Sequence, residues 1–195
     1  MRLITVLALS FLCTVAFAQK KKKKEVNEDE YPVKTKLVLG KYIDSILVMH
    51  WLKPLAKDMY EGKKLPKGDP ETMEILSLAS GGDAETRPLY VHLLMYTNWY
   101  ATEGALADSI GKYNMKLLER YPKDVIRYFK KAETDKRYED AKKAFLYNIA
   151  FEINNQDDPI GTFDEYTEKV LKVYKSKETD PIDDLMKSIR KLMKK

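Results

Sequence analysis

Apolar residues recur at helical spacing through most of this chain, and no stretch reads as a convincing pair of strands. The densest pattern runs from Pro88 to Tyr121, where Leu89, Leu93, Tyr96, Tyr100, Gly104, Ala107, Ile110 or Gly111, Asn114, Leu118 and Tyr121 follow one another at intervals of three and four. A second set, Val91, Met95, Trp99 and Leu106, falls elsewhere around the cylinder, as expected of a helix buried among neighbours. A single helix over the whole stretch would reach about 50 Å at roughly 1.5 Å per residue, too long for a compact domain of this size. Thr102 can cap a new helix, Glu103 places acid in its positive first turn, and Gly104 weakens helix locally. The expectation is a tight joint near Ala101–Glu103, forming an αα-hairpin. Tyr121-Pro122 stops the second helix and Pro122 starts the next. Gly104, Ala105, Ala107 and Gly111 make a small-residue patch where a helix from Leu37–Tyr60 or Lys136–Asn154 is expected to cross closely.

The same reading sets the other elements. Lys41–Leu52 is strongly apolar; Ile46–Val48 could be a buried strand, but without a partner the segment reads as helix, broken at Pro54 and resumed over Leu55–Tyr60. Asp69-Pro70-Glu71 opens a helix to about Ala79. Lys123–Lys131 is a short helix with Val125, Ile126 and Phe129 inward. Thr134 or Asp135 caps Lys136–Asn154, whose AFLYNIAF centre is apolar nearly all round and is expected to be buried. Gly161–Tyr174 presents Phe163, Tyr166, Val170, Leu171 and Val173 or Tyr174. Asp180-Pro181 starts a last helix, with Ile182, Leu185, Met186, Ile189, Leu192 and Met193 on one stripe, acid at its start and base at its end. A basic amphipathic helix can lie on a membrane, but a capping role at the end of a helical stack is the simpler reading. Strand content is expected below about a tenth.

The run GALADSIGKYNMKLLERYPKDVIRYF, Gly104–Phe129, resembles a pattern found in uncharacterised secreted bacterial helical-repeat proteins, in which a GAL-acid segment opens a helix that ends in YP-K. The resemblance implies an all-α fold, a right-handed stack of antiparallel helical hairpins of the HEAT-like or α-α superhelical kind. It implies no activity.

Arg2, the apolar run Leu3–Leu12 and Ala16-Phe17-Ala18 have the form of a signal peptide over residues 1–18, cut before Gln19. The product would be periplasmic or extracellular. Cys13, the only cysteine, follows Ser10-Phe11-Leu12 and lacks the small residue that a lipidation site wants. A chain cut before Gln19 keeps no cysteine, which excludes disulfides, thiol nucleophiles and Cys-ligated zinc. Residues 19–30 read as a disordered charged leader, and 31–195 as a single all-α domain. The net charge of +5 becomes −1 once Arg2 and Lys20–Lys24 are set aside, so the basicity belongs to the leader and a nucleic-acid-binding face is not expected. Lys20, Lys21, Lys22, Lys23 and Lys24 could give weak contact with an anionic surface, at about 1 kcal/mol each, or simply form a solvated leader.

Candidate chemistry is sparse. His50 and His92 both sit in apolar helical segments and read as packed side chains. His92, Glu103 and Asp108 do not converge easily in either geometry: on one helix the first two are about 16 Å apart, far beyond proton-transfer reach, and a turn near Thr102 places His92 opposite residues well past Asp108. Phosphate-loop, nucleophile-elbow and zinc-helix motifs are absent, and Asp157, Asp158, Asp164 and Glu165 lack the alternation of a calcium loop. No cofactor or metal is expected. The 13 tyrosines and 2 tryptophans leave one cluster of interest. Tyr96, Trp99 and Tyr100, with Glu103, are the candidate binding residues, because aromatics with polar tips favour contact surfaces. Two functions fit: a non-enzymatic scaffold binding a protein or cell-envelope component, or an envelope hydrolase whose carboxylates converge in space.

Overall fold

The computed structural model describes residues 34–101, 104–133, 135–175 and 180–193. The segments expected to be a signal peptide (1–18) and a charged leader with Lys20–Lys24 (19–30), together with Thr102, Glu103 and Thr134, lie outside these described residues. Helix accounts for 75% of the structure, in nine helices, and the only sheet among the described residues has two strands.

That sheet replaces the start of an expected helix. β1 (Leu37–Val38) pairs antiparallel with β2 (Lys41–Tyr42), Leu37 opposite Tyr42. Leu39 and Gly40 turn the chain with φ of 49° and 82°, the two positive values that a tight hairpin requires. Helix then lasts only for α1 (Ile43–Leu47) before the chain turns again, so Lys41–Leu52 is not one helix. Its apolar residues divide accordingly: Ile43 and Ile46 are buried, whereas Tyr42, Val48 and Trp51 face outward. α2 (Pro54–Tyr60) begins with proline, where the missing N–H is no loss. Tyr60 Oη donates to the Thr35 carbonyl at 2.7 Å and accepts from the Thr35 N–H, fastening the chain before β1 to α2.

The remaining helices start at local signals. Asp69 caps α3 (Pro70–Gly81) by accepting from the Thr72 N–H at 2.8 Å. Asp83 gathers the N–H groups of Glu85 and Thr86 and the Thr86 hydroxyl just before α4 (Arg87–Tyr100). The expected joint is present: α4 stops at Tyr100 and α5 (Gly104–Arg120) begins at a glycine with φ of 78°. Pro122 opens α6 (Pro122–Phe129), and a 3-10 turn, Lys130–Glu133, leads on. Asp135 caps α7 (Lys136–Asn154) and Asp158 caps α8 (Pro159–Tyr174). α9 (Asp180–Met193) completes the described chain.

α4 is the innermost element, buried without interruption from Pro88 to Asn98. α3, α2 and α7 enclose it. α5 runs alongside α3 in the same direction: Gly68 lies against Ala105, and Arg120 Nη1 reaches the Ser80 carbonyl at 3.1 Å. α7 packs on α4, α5 and α9 together. α9 covers α7 with Ile182, Leu185, Met186 and Ile189, each worth about 1.5–3 kcal/mol when fully buried. The small-residue patch is split between two roles. At Gly111 a Cβ would come within 2.5 Å of the Asn148 carbonyl oxygen, so α5 and α7 cross there almost backbone to backbone, as expected for a helix from Lys136–Asn154. Toward Gly104 and Ala107 the two helices leave a gap. Two burial expectations are therefore corrected. Within AFLYNIAF, Tyr147 is 57% and Phe151 is 40% exposed, because none of the described helices covers that side of α7. Leu171 and Val173 of α8 are exposed as well, leaving Phe163, Tyr166, Val170 and Tyr174 as its buried stripe.

Candidate functional site

The gap between α5 and α7 opens into a cleft of about 560 Å³, which the last turn of α4 also lines. Its walls carry Trp99 from α4, Ala107 and Asp108 from α5, and Lys143, Tyr147 and Phe151 from α7. Gly104, Ala107 and Ala144 keep it open, since larger side chains there would fill it. Tyr147 and Phe151 stand one helical turn apart with rings 22° from parallel and centroids 6.5 Å apart. Lys143 is paired along its own helix with Glu139 at 2.5 Å, an exposed pair that contributes little to stability.

Two of the lining residues, Asn98 and Asn148, are held by a hydrogen-bonded network with the buried Asn114. The Asn98 amide donates one N–H to the Leu94 carbonyl at 2.9 Å and the other to Asn114 Oδ1 at 2.8 Å. Its Oδ1 accepts from Asn114 Nδ2 and from Asn148 Nδ2, the latter at 2.8 Å. Two donors and two acceptor positions are all that a carboxamide has, so the Asn98 side chain is saturated. Asn114 is fully buried, with Nδ2 also 3.5 Å from the Phe145 carbonyl. Asn148 is only partly buried and lines the cleft; it spends one N–H on Asn98. Its orientation is fixed by that bond, because the reversed amide would set oxygen against oxygen. This network was not singled out from the sequence. The signal for it was a polar residue, Asn148, inside an apolar helical run.

The sequence candidates separate. Trp99 is half-buried and lines the cleft. Tyr100 is also half-buried and packs with Leu65 against Tyr96, away from the cleft lining. Tyr96 is 1% exposed and belongs to the core, so no ligand reaches it. Glu103 lies outside the described residues. His92 is completely buried, its ring 4.7 Å from Tyr96 and its Nδ1 2.9 Å from Tyr128 Oη. Tyr60 and Tyr138 extend this aromatic cluster. Burial raises the pKa of Tyr60, Tyr96 and Tyr138, which keeps them neutral hydroxyls. His92 is thus a packed side chain remote from solvent. His50 stands exposed beside Trp51 and does not line the cleft.

Asp108 is the one carboxylate among the described residues lining the cleft. No group of three or more His, Cys, Asp or Glu among the described residues could hold a metal ion. A smaller hollow of about 300 Å³ lies between α8 and α9, walled by Ile160, Phe163 and Met193, with Arg190 held 3.5 Å from Asp164. No described helix is long and apolar enough to cross a membrane. Comparison with known protein families, with curated protein sequences and with solved structures finds no match to this chain.

Proposed function

We propose that this chain is an exported helical binding protein that holds a ligand, a cell-envelope component or part of another protein, in the cleft between α4, α5 and α7. The observation that carries the reading is the exposed Tyr147–Phe151 pair in a cleft whose lining asparagines are held by hydrogen bonds. Aromatic side chains left uncovered in a concave site with oriented polar groups have the composition of a recognition site. The hydrolase reading is less well supported. Paired-carboxylate chemistry needs two acids within about 10 Å across a bond, and the described lining supplies Asp108 alone. A compact variant of the hairpin stack remains part of the proposal. α3 and α4 pack as neighbouring helices, but α7 meets α4, α5, α8 and α9, whereas the units of an extended solenoid touch only those beside them. Export rests on the signal-peptide pattern, and the resemblance of Gly104–Phe129 to secreted helical-repeat proteins agrees with it.

Fragment screening by NMR tests the reading. Small amphipathic compounds should shift the Trp99 indole N–H and the Asn148 side-chain amide before any other resonances. Hits scattered over the surface, or confined to the α8–α9 hollow, would remove the cleft as the binding site.

A further inference from the structure

We infer that the cleft takes a pyranose ring of a glycan, an inference that rests on the cleft being the binding site. The argument begins with what the asparagine network leaves over. Asn98 has nothing to offer a ligand, and Asn114 is sealed in the core. Asn148 retains one N–H and its carbonyl oxygen, a donor and an acceptor on one amide held in a fixed orientation. Adjacent ring hydroxyls present the same pairing, since each both donates and accepts. Asp108 adds an acceptor, and Lys143, beyond its pair with Glu139, has further N–H donors.

The apolar lining fits the rest of such a ring. One face of a pyranose is made of C–H groups, with its hydroxyls around the rim. Tyr147 and Phe151 provide two near-parallel rings on one wall, and Trp99 contributes a third aromatic surface. A ring laid on this wall would bring its rim toward Asn148. The cleft, at about 560 Å³, falls within the roughly 300–1,000 Å³ of small-molecule sites. An extended peptide is a poorer match. Strand-like recognition draws on main-chain bonding repeated along the segment, and here a single oriented amide remains.

The test uses the full chain carrying Trp51→Phe, which leaves Trp99 as its only tryptophan. Chitotriose, cellotriose and maltotriose share pyranose rings but differ in linkage and in the acetamido group. At least one should shift the Trp99 emission saturably at millimolar concentration or below. Asn148→Ala and Tyr147→Ala should each weaken that binding about tenfold or more, with far-ultraviolet circular dichroism unchanged in both; Tyr147→Ala should also keep the wild-type melting temperature, whereas Asn148→Ala lowers it through the lost bond to Asn98. A sugar response that survives both substitutions would overturn the inference, as would the absence of any response. If no sugar acts while fragments still shift the Asn148 amide, the glycan assignment falls and the binding cleft stands. If neither acts, both fall.

Discussion

One substitution, Gly→Ala, should have opposite effects at two helical glycines. At Gly111 the added Cβ would lie 2.5 Å from the Asn148 carbonyl oxygen and 2.8 Å from Glu152 Cβ. Both are well inside van der Waals contact, and the nearer is backbone, which cannot rotate away. α7 must therefore retreat from α5. Overpacking of this kind costs about 1–3 kcal/mol. Two contacts as short as 2.5 and 2.8 Å put the cost in the upper part of that range, about 2–3 kcal/mol, and replacing glycine within a helix returns about 1 kcal/mol of propensity, so the net loss should be about 1–2 kcal/mol. Because Asn148 moves with the backbone, its bond to Asn98 should lengthen as well. At Gly81, the last residue of α3, a Cβ meets nothing within 4 Å. There only the unfolded-state entropy and propensity terms remain, and Gly81→Ala should stabilise by about 0.4–1 kcal/mol. Urea unfolding followed by circular dichroism reads both. With a slope of about 2 kcal/mol per molar, Gly111→Ala should lower the midpoint by about 0.5–1 M and Gly81→Ala should raise it by a few tenths, the slopes unchanged. A Gly111→Ala midpoint at or above wild type would refute the close crossing of α5 and α7.

Ala107→Leu faces the cleft rather than a helix, so its stability should stay within about 0.5 kcal/mol of wild type in the same assay while the cleft narrows; a loss of more than about 1 kcal/mol would mean that the face is packed. Asn98→Ala strips partners from Asn114, Asn148 and the Leu94 carbonyl at once and should cost about 1–3 kcal/mol on urea unfolding; a cost near zero would show that water replaces the network. Asp69 has its pKa lowered, chiefly by the Thr72 N–H bond, so its contribution is complete above the unfolded value near 3.9 and is lost as pH falls through the lower folded value. Thermal unfolding should find wild type and Asp69→Asn close at neutral pH, with wild type losing ground below about pH 4; a constant difference down to about pH 3 would refute the capping bond.

The helices were readable because their signals are local. Asp69-Pro70, Tyr121-Pro122 and Asp135 place a cap or a proline where chain geometry admits only a helix start, whatever lies nearby. The break between Tyr100 and Gly104 could be argued from length and a capping pattern in the same way. The β1–β2 hairpin escaped because its turn uses Leu39 at positive φ, a conformation that leucine seldom signals, and its strands are two residues each. Of the candidate site, Trp99 was identified in advance, but Tyr147, Phe151, Asn98 and Asn148 were not.

Those four depend on which surfaces meet. AFLYNIAF is apolar around most of its circumference, and periodicity says that such a segment will be covered without saying by what. Coverage of Phe145 and Ile149 follows from the packing of α7 against α4, α5 and α9, and exposure of Tyr147 and Phe151 from the absence of any described helix on the remaining side. The asparagine network joins positions 16 and 50 residues apart, and its bonds exist only because Gly111 lets α5 and α7 cross so closely. Where each helix begins is decided by interactions over three or four residues, and the sequence by itself determined most of that. Which faces stay open, and which amide keeps a donor and an acceptor for a ligand, was decided only by tertiary structure, because burial and hydrogen-bond saturation are properties of neighbours distant in the chain.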